Sequence, residues 1–147
     1  MKYPHIFFDD LFYVGIFHIL PYFVLIHPQK EKLDEIYRAS CSAPSAGGSE
    51  ARYYYETNNR EIINKLAEAS FNQGFIAEAP IVIVFSAIPK ISQKKYGERG
   101  KLYAIQDATI SASFAWLEAI NQGLSACWVG AFNEEGGKEA MGIELGA

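Results

Sequence analysis

The sequence predicts one domain of the α/β or α+β class, with helices covering a sheet. Three observations carry this. Amphipathic, helix-like stretches alternate with short apolar runs in the order helix, strand, helix, strand, long helix, strand, helix. Ile81 to Ala87 (IVIVFSA) is a continuous apolar run, mostly β-branched or aromatic, as in a strand covered on both faces. Leu102 to Gln122 is a long helical stretch with only two formal charges, Asp107 and Glu118, so it is expected to be buried on most sides.

The elements follow in chain order. Leu11 to Ile26 (LFYVGIFHILPYFVLI) carries no formal charge. It is shorter than the about 20 apolar residues of a membrane-spanning helix, and Gly15, His18 and Pro21 interrupt it. It also lacks the basic flank and small-residue cleavage site of a signal peptide. Three readings stay open: a buried or dimer-facing element, a membrane-associated segment, or a stretch foreign to the folded domain. Residues 1–28 are therefore treated as an apolar segment of uncertain status, and residues 29–147 as the domain. Gln29 to Ser42 places Leu33, Ile36 and Tyr37 on one helical face and Lys30, Glu31, Lys32, Asp34 and Glu35 on the other. Ala43 to Ser49 (APSAGGS) is a loop of helix breakers and of residues that tolerate positive φ.

Arg52 to Glu56 (RYYYE) is a strand, and Glu61 to about Ala69 a helix with Ile62, Ile63 and Leu66 inward. Ile88 to Gly100 reads as a polar loop. Gly123 closes the long helix, Ala126 to Val129 is a short strand, and Glu134 to Met141 a short helix.

Composition narrows the function. The chain has 147 residues, a formal net charge of -4 and 20% charged residues. That balance argues against a nucleic-acid binder, which needs a concentrated basic face. Half the residues are hydrophobic, enough for a core. Two cysteines, Cys41 and Cys127, form neither a disulfide framework nor a C-x-x-C site, and read as free thiols of a cytoplasmic protein. Cys127 and Trp116 are expected in the core. His18, in the apolar run, is expected to be a core histidine rather than a ligand, and His5 and His27 are read as lacking a carboxylate or cysteine at metal-ligand spacing, so no metal is expected.

Three segments then carry a resemblance: KLDEIYRASCSAPSAGG (Lys32 to Gly48), FNQGFIAEAPIVIVF (Phe71 to Phe85) and KYGERGKLYAIQDATISASFAWLEAINQGLSACWVGAF (Lys95 to Phe132). In this order and spacing they resemble the FMN-dependent nitroreductase family. The first is similar to the family's first helix and A-P-S loop, the second to a helix end and central strand, and the third to the long central helix and C-W-x-G-A-F strand.

The resemblance implies a three-layer α/β/α sandwich with a mostly antiparallel sheet and a long buried central helix. It implies an FMN oxidoreductase that passes hydride from NADH or NADPH through the flavin to a nitroaromatic, quinone or similar acceptor by a ping-pong mechanism. A homodimer with FMN at the interface is implied, with a small-molecule acceptor and no nucleic-acid or membrane partner. By family position, Pro44, Ser45, Ala46 and Gly48 would line the flavin, with Gly47 beside them. Asn72 and Gln73 would meet its pyrimidine edge, where an amide offers both donor and acceptor. Val129, Gly130 and Ala131 would pass its N5, the backbone of Gly130 and Ala131 being nearest the chemistry. Tyr96 and Arg99 would border the substrate cavity.

The chain also departs from the family. The usual Asn falls at Gly48, and the usual Gln-Pro-Trp at Glu50, Ala51 and Arg52. The family's basic R-R-S-x-R motif has no counterpart in residues 1 to 29, whose one Lys or Arg is Lys2. The family's closing strand is not reached before Ala147, so the domain reads as C-terminally incomplete. FMN is therefore expected to bind more weakly than is usual for the family. The alternative is a flavin-free remnant serving as a dimeric scaffold.

Overall fold

The computed structural model describes the backbone of residues 12–21 and residues 28–142 in full. Four strands form one sheet in the order β2-β3-β1-β4: β1 Phe12–Pro21, β2 Arg52–Thr57, β3 Ile81–Ala87 and β4 Leu124–Val129. All three pairings are antiparallel. Part of the apolar first stretch thus enters the sheet as an inner strand, pairing Ile19 with Ile81 on one side and with Ala126 on the other. The side chain of His18, and His5 and His27 altogether, lie outside the described residues.

β3 explains the layering. All seven of its residues are buried. Their alternation sends Val82 and Val84 to one face and Ile81, Ile83 and Phe85 to the other. The first face packs on α2 (Arg60–Ala69), α3 (Phe75–Glu78) and α6 (Glu134–Ala140), through Ile63, Leu66, Ile76 and Ala140. The second packs on α1 (Lys30–Ser42) and α5 (Gly100–Asn121), through Leu33, Ile36, Ala112, Ala115 and Ala119. The result is the three-layer α/β/α sandwich, antiparallel and built around a long central helix.

Local chemistry sets the ends. Asn59 caps α2, its side chain accepting from the N–H of Glu61 at 2.9 Å. Gly123 adopts φ +74° after α5, as its place at the helix end predicts.

Four expectations need correction, the first on α4 and the others on α5 and β4. Ile88 to Gly100 is not a loop: Pro89–Tyr96 forms helix α4, with Pro89 in its first turn. Its polar residues mask a short buried edge formed by Pro89 and Ser92. α4 folds back on α5 because Gly100 has no side chain. A Cβ there would lie 2.5 Å from the Gln93 backbone nitrogen.

The second correction concerns α5. Its inner face is a stripe of small residues, Ala104, Ala108, Ala112, Ala115 and Ala119, all buried. Its outer face carries Leu102, Ile105, Trp116, Leu117 and Ile120, all exposed in the chain, Leu117 at 59%. The helix is apolar all round, as read, but the described residues bury only its small-residue side. Trp116 is accordingly no core residue, although its indole N–H donates to Ala126 O at 3.0 Å. Cys127 is exposed too, not buried. Among the described residues no helix is long and apolar enough to cross a membrane.

Candidate active site

The candidate residues gather in two groups. The first is the loop after α1. Pro44 and Gly48 are exposed, and Ser45 and Ala46 half-buried. The loop tightens into a 3-10 turn at Ala46–Gly48, with Gly47 at φ +56° and Gly48 at φ +68°. The turn is anchored from below by a residue that sequence reading did not assign to the site. Asp107, 2% exposed in the middle of α5, accepts the Ala46 N–H on Oδ1 at 2.8 Å and the Ala51 N–H on Oδ2 at 3.2 Å. The start of the 3-10 turn and the residue just before β2 thus hang on one carboxyl group. The signal was there: Asp107 is one of only two formal charges between Leu102 and Gln122, a position that demands hydrogen-bond partners.

Ser45 Oγ accepts the Glu50 N–H at 3.0 Å and closes the loop on itself. Arg52 then grips the first residue of the loop, Nη2 donating to Ala43 O at 2.8 Å.

α4 covers this loop. Lys95 Nζ lies 3.4 Å from Gly47 O. A Cβ at Gly47 would sit 2.1 Å from the Tyr96 hydroxyl, so Gly47 is where the two segments touch. Tyr96 packs edge-on to Tyr103, ring centroids 5.0 Å apart. Arg99 is exposed, its Nε donating to the Tyr103 hydroxyl at 2.9 Å. Tyr96 and Lys95 therefore border the loop directly, with Arg99 one turn away.

The second group lies just beyond the C-terminal end of α2. Phe71 and Asn72 both take left-handed conformations, φ +56° and +58°. That is rare for consecutive non-glycine residues, and most of all for phenylalanine. The turn throws Phe71 outward at 67% exposure and aims Gln73 at the chain after β4. Gln73 Nε2 donates to Ser70 O at 2.9 Å and to Ala131 O at 3.0 Å. The Asn133 N–H adds a bond to Ala69 O at 2.7 Å. The predicted Asn72–Gln73 and Val129–Ala131 segments are thus tied together. Val129 is buried and offers only backbone, while Gly130 and Ala131 are exposed.

A planar ring needs backbone it can approach. An added Cβ at Gly48 would meet nothing within 4 Å, and at Gly130 only Trp128 Nε1 at 3.7 Å. Both glycines border open space. Gln73 commits its amide protons internally and keeps its oxygen as acceptor. Among the described residues no hydrogen bond joins the first group to the second.

Comparison with known proteins completes the description. The model of a family described as the nitroreductase family matches residues 70–146, more than half of the chain. A protein of Archaeoglobus fulgidus with the provisional name NADH dehydrogenase/NAD(P)H nitroreductase is 28% identical over 116 residues, 79% of this chain and 64% of the relative. A provisionally named nitroreductase of Methanocaldococcus jannaschii is 34% identical over 86 residues, 58% of this chain and 43% of the relative. The matches therefore span less than two thirds of these relatives' lengths. Among solved structures, an FMN-dependent nitroreductase from Clostridium difficile superposes with a TM-score of 0.69 at 26% identity, covering 82% of this chain and 71% of the other.

Proposed function

The chain belongs to the nitroreductase family, and from that premise we propose that it is an FMN-dependent oxidoreductase. It passes hydride from NADH or NADPH to a nitroaromatic, quinone or similar acceptor in two half-reactions. When bound, FMN supplies the hydride chemistry itself. Its relatives' names include an NAD(P)H nitroreductase and an FMN-dependent nitroreductase.

The observation that supports this reading most is the Gln73–Ala131 bond. It draws together two segments that are distant in sequence and that the family resemblance assigns to one ring system. In this reading Gln73 offers its oxygen to the ring's imide N–H. Gly130 and Ala131 present backbone with no side chain in the path of hydride, and a backbone N–H there stabilises charge on the reduced ring. Pro44, Ser45, Ala46 and Gly48 form the other wall, which Asp107 holds rigid. Asn72 and Val129 shape the turn and strand end, and Tyr96 and Arg99 border the acceptor cavity.

A homodimer supports the arrangement. Among the described residues the two groups share no hydrogen bond within one chain, and two copies would bring one group against the other. The exposed apolar face of α5 supplies a surface for that contact.

The test is anaerobic titration with FMN, followed by NADH or NADPH. Bound flavin that bleaches on addition of either nucleotide is the expected result. Absence of flavin binding at saturating FMN overturns the reading in favour of a flavin-free scaffold.

A further inference from the structure

Where α4 ends, donor side chains gather beside the Ala46–Gly48 turn. Lys95 Nζ lies 3.4 Å from Gly47 O, and a side chain at Gly47 would run into both that ammonium group and the Tyr96 hydroxyl. Tyr96 packs edge-on to Tyr103, and Tyr103 in turn holds Arg99. The Tyr103 ring centroid lies 5.5 Å from the guanidinium carbon, and its hydroxyl accepts from Arg99 Nε at 2.9 Å. Lys95 Nζ lies 5.4 Å from the Tyr96 centroid, so the pair of rings stands between two cations. Arg99 is oriented through Nε. Among the described residues its two terminal nitrogens make no hydrogen bond, nor does the Tyr96 hydroxyl.

Charge sets this corner apart. The chain is acidic overall, at -4, yet Lys94, Lys95 and Arg99 fall within six residues, and all three are exposed. The one carboxylate among them, Glu98, is already engaged by Lys101 Nζ at 2.8 Å and by Gln93 Nε2 at 3.3 Å. Among the described residues neither Lys95 nor Arg99 forms an ion pair with a carboxylate. Glu50, just past the turn, lines a cavity with Ser40, Arg52 and Tyr54. Two cations and a phenol with protons to donate suit an anion, and a multiply charged one best.

Resting on the oxidoreductase reading, we infer that Lys95, Tyr96 and Arg99 hold the 2′-phosphate of the reductant, so that this chain uses NADPH in preference to NADH. The nicotinamide must reach the flavin between its walls, which leaves the adenosine end of the dinucleotide to extend outward. Lys95 and Arg99 stand exposed at the outer border of one such wall. The two nucleotides differ at the adenosine end by one phosphate monoester, which carries about -1.5 to -2 charge at neutral pH. An arginine fork beside a lysine meets that group with charge-assisted bonds, whereas NADH presents a neutral hydroxyl there. Reductant and acceptor enter in separate half-reactions, so the same border residues serve both in turn.

The test has two readouts on the full chain. Calorimetric titration with NADP⁺ and with NAD⁺ measures binding, and anaerobic bleaching of added FMN by NADPH and by NADH measures turnover. NADP⁺ should bind tighter than NAD⁺ by about tenfold or more. The preference should shrink as NaCl rises from about 50 to about 500 mM. In the Lys95→Gln, Arg99→Gln double variant it should fall to about twofold or less, with the NADPH KM raised and kcat kept, because these contacts lie away from the reacting atoms. Lys65→Gln removes a positive charge from α2, in the other helical layer, and should keep the preference.

Equal binding of the two nucleotides overturns the proposal, as do saturable binding of neither, a preference retained in the double variant, or one lost equally in Lys65→Gln. The proposal and the reading beneath it fail separately. NADP⁺ preference that depends on Lys95 and Arg99, without bleaching by either nucleotide, upholds the phosphate site and overturns the oxidoreductase reading. Equal bleaching by both nucleotides does the reverse.

Discussion

Replacing Asp107 with asparagine tests the strut beneath the candidate loop. The carboxyl group accepts the backbone N–H groups of Ala46, within the loop, and of Ala51, just beyond it, at 2.8 and 3.2 Å, from a position only 2% exposed. Asparagine keeps the volume, but only one of its two terminal atoms accepts. One backbone donor then faces an NH₂ group, buried and unpaired. Hydrogen bonds to charged groups are worth about 1.5–3 kcal/mol, and an unsatisfied buried donor costs about 1–3 kcal/mol. These figures overlap, since they describe the same lost contact, so Asp107→Asn should destabilise by about 3 kcal/mol. That is a large part of the about 5–15 kcal/mol that holds a domain together. Urea unfolding reads the loss as a lower midpoint at unchanged slope. Hydrogen exchange localises it: the Ala46 and Ala51 amides should exchange faster than their neighbours in α1. A stability change under about 0.5 kcal/mol, or unaltered exchange at these two amides, would refute the strut.

Three further outcomes follow from the same geometry. Gly47→Ala forces a side chain into a left-handed position, φ +56°, and drives a Cβ to 2.1 Å from the Tyr96 hydroxyl. A loss of about 1–2 kcal/mol in urea unfolding is expected, with displaced Tyr96 ring resonances. Leu117→Glu places a charge on the exposed apolar face of α5, where Leu117 is 59% exposed. It should turn a dimer into monomer by light scattering at unchanged monomer fold, and an unaltered mass would remove α5 from the interface. Burial raises the Tyr55 phenol from 10.0 to about 12, and raises Tyr54 as well. A raised folded pKa favours the protonated form in the native state. Its stabilisation is therefore complete below pH 10 and is lost as pH climbs from 10 towards 12. Ultraviolet titration should show exposed phenols ionising first, with unfolding free energy falling across that window.

How much of this was legible in the sequence depends on whether the signal was local. β3 was readable because seven buried residues in a row leave no other interpretation, and its ends match those read from sequence. α4 was not, because only Pro89 and Ser92 are buried in it while Lys94 and Lys95 dominate its composition. Its helicity rests on packing against Gly100, a contact that periodicity does not encode. The Leu11 to Ile26 stretch stayed ambiguous because its partners, β3 and β4, lie far along the chain. Cys127 and Trp116 were misjudged for a related reason. Side-chain type says what can be buried, but the pleat of β4 and the rotation of α5 decide which side faces in. For the candidate site, the segments were found through resemblance, whereas the Gln73–Ala131 and Asp107–Ala46 bonds that organise them span 58 and 61 residues.

α5 links these observations. Its alanine stripe brings the helix close enough to the sheet for Asp107 to reach the backbone of Ala46 and Ala51. A bulkier inner face would hold the carboxyl group away and leave the loop without its anchor. The same choice leaves the large apolar side chains Leu102, Ile105, Trp116, Leu117 and Ile120 exposed on the outer face, as an apolar stripe interrupted by Thr109 and Ser113. Such a stripe is unfavourable in water and gains about 25 cal/mol per Å² when covered. One helix therefore carries a site anchor on its inner side and an association surface on its outer side. A change that rotates or shifts α5 must act on both. If the proposed dimer forms through this stripe, its dissociation should loosen the Ala43–Ser49 loop, and the Ala46 amide should exchange faster as the protein is diluted. Exchange at Ala46 that is independent of concentration across the dissociation range would separate the two roles.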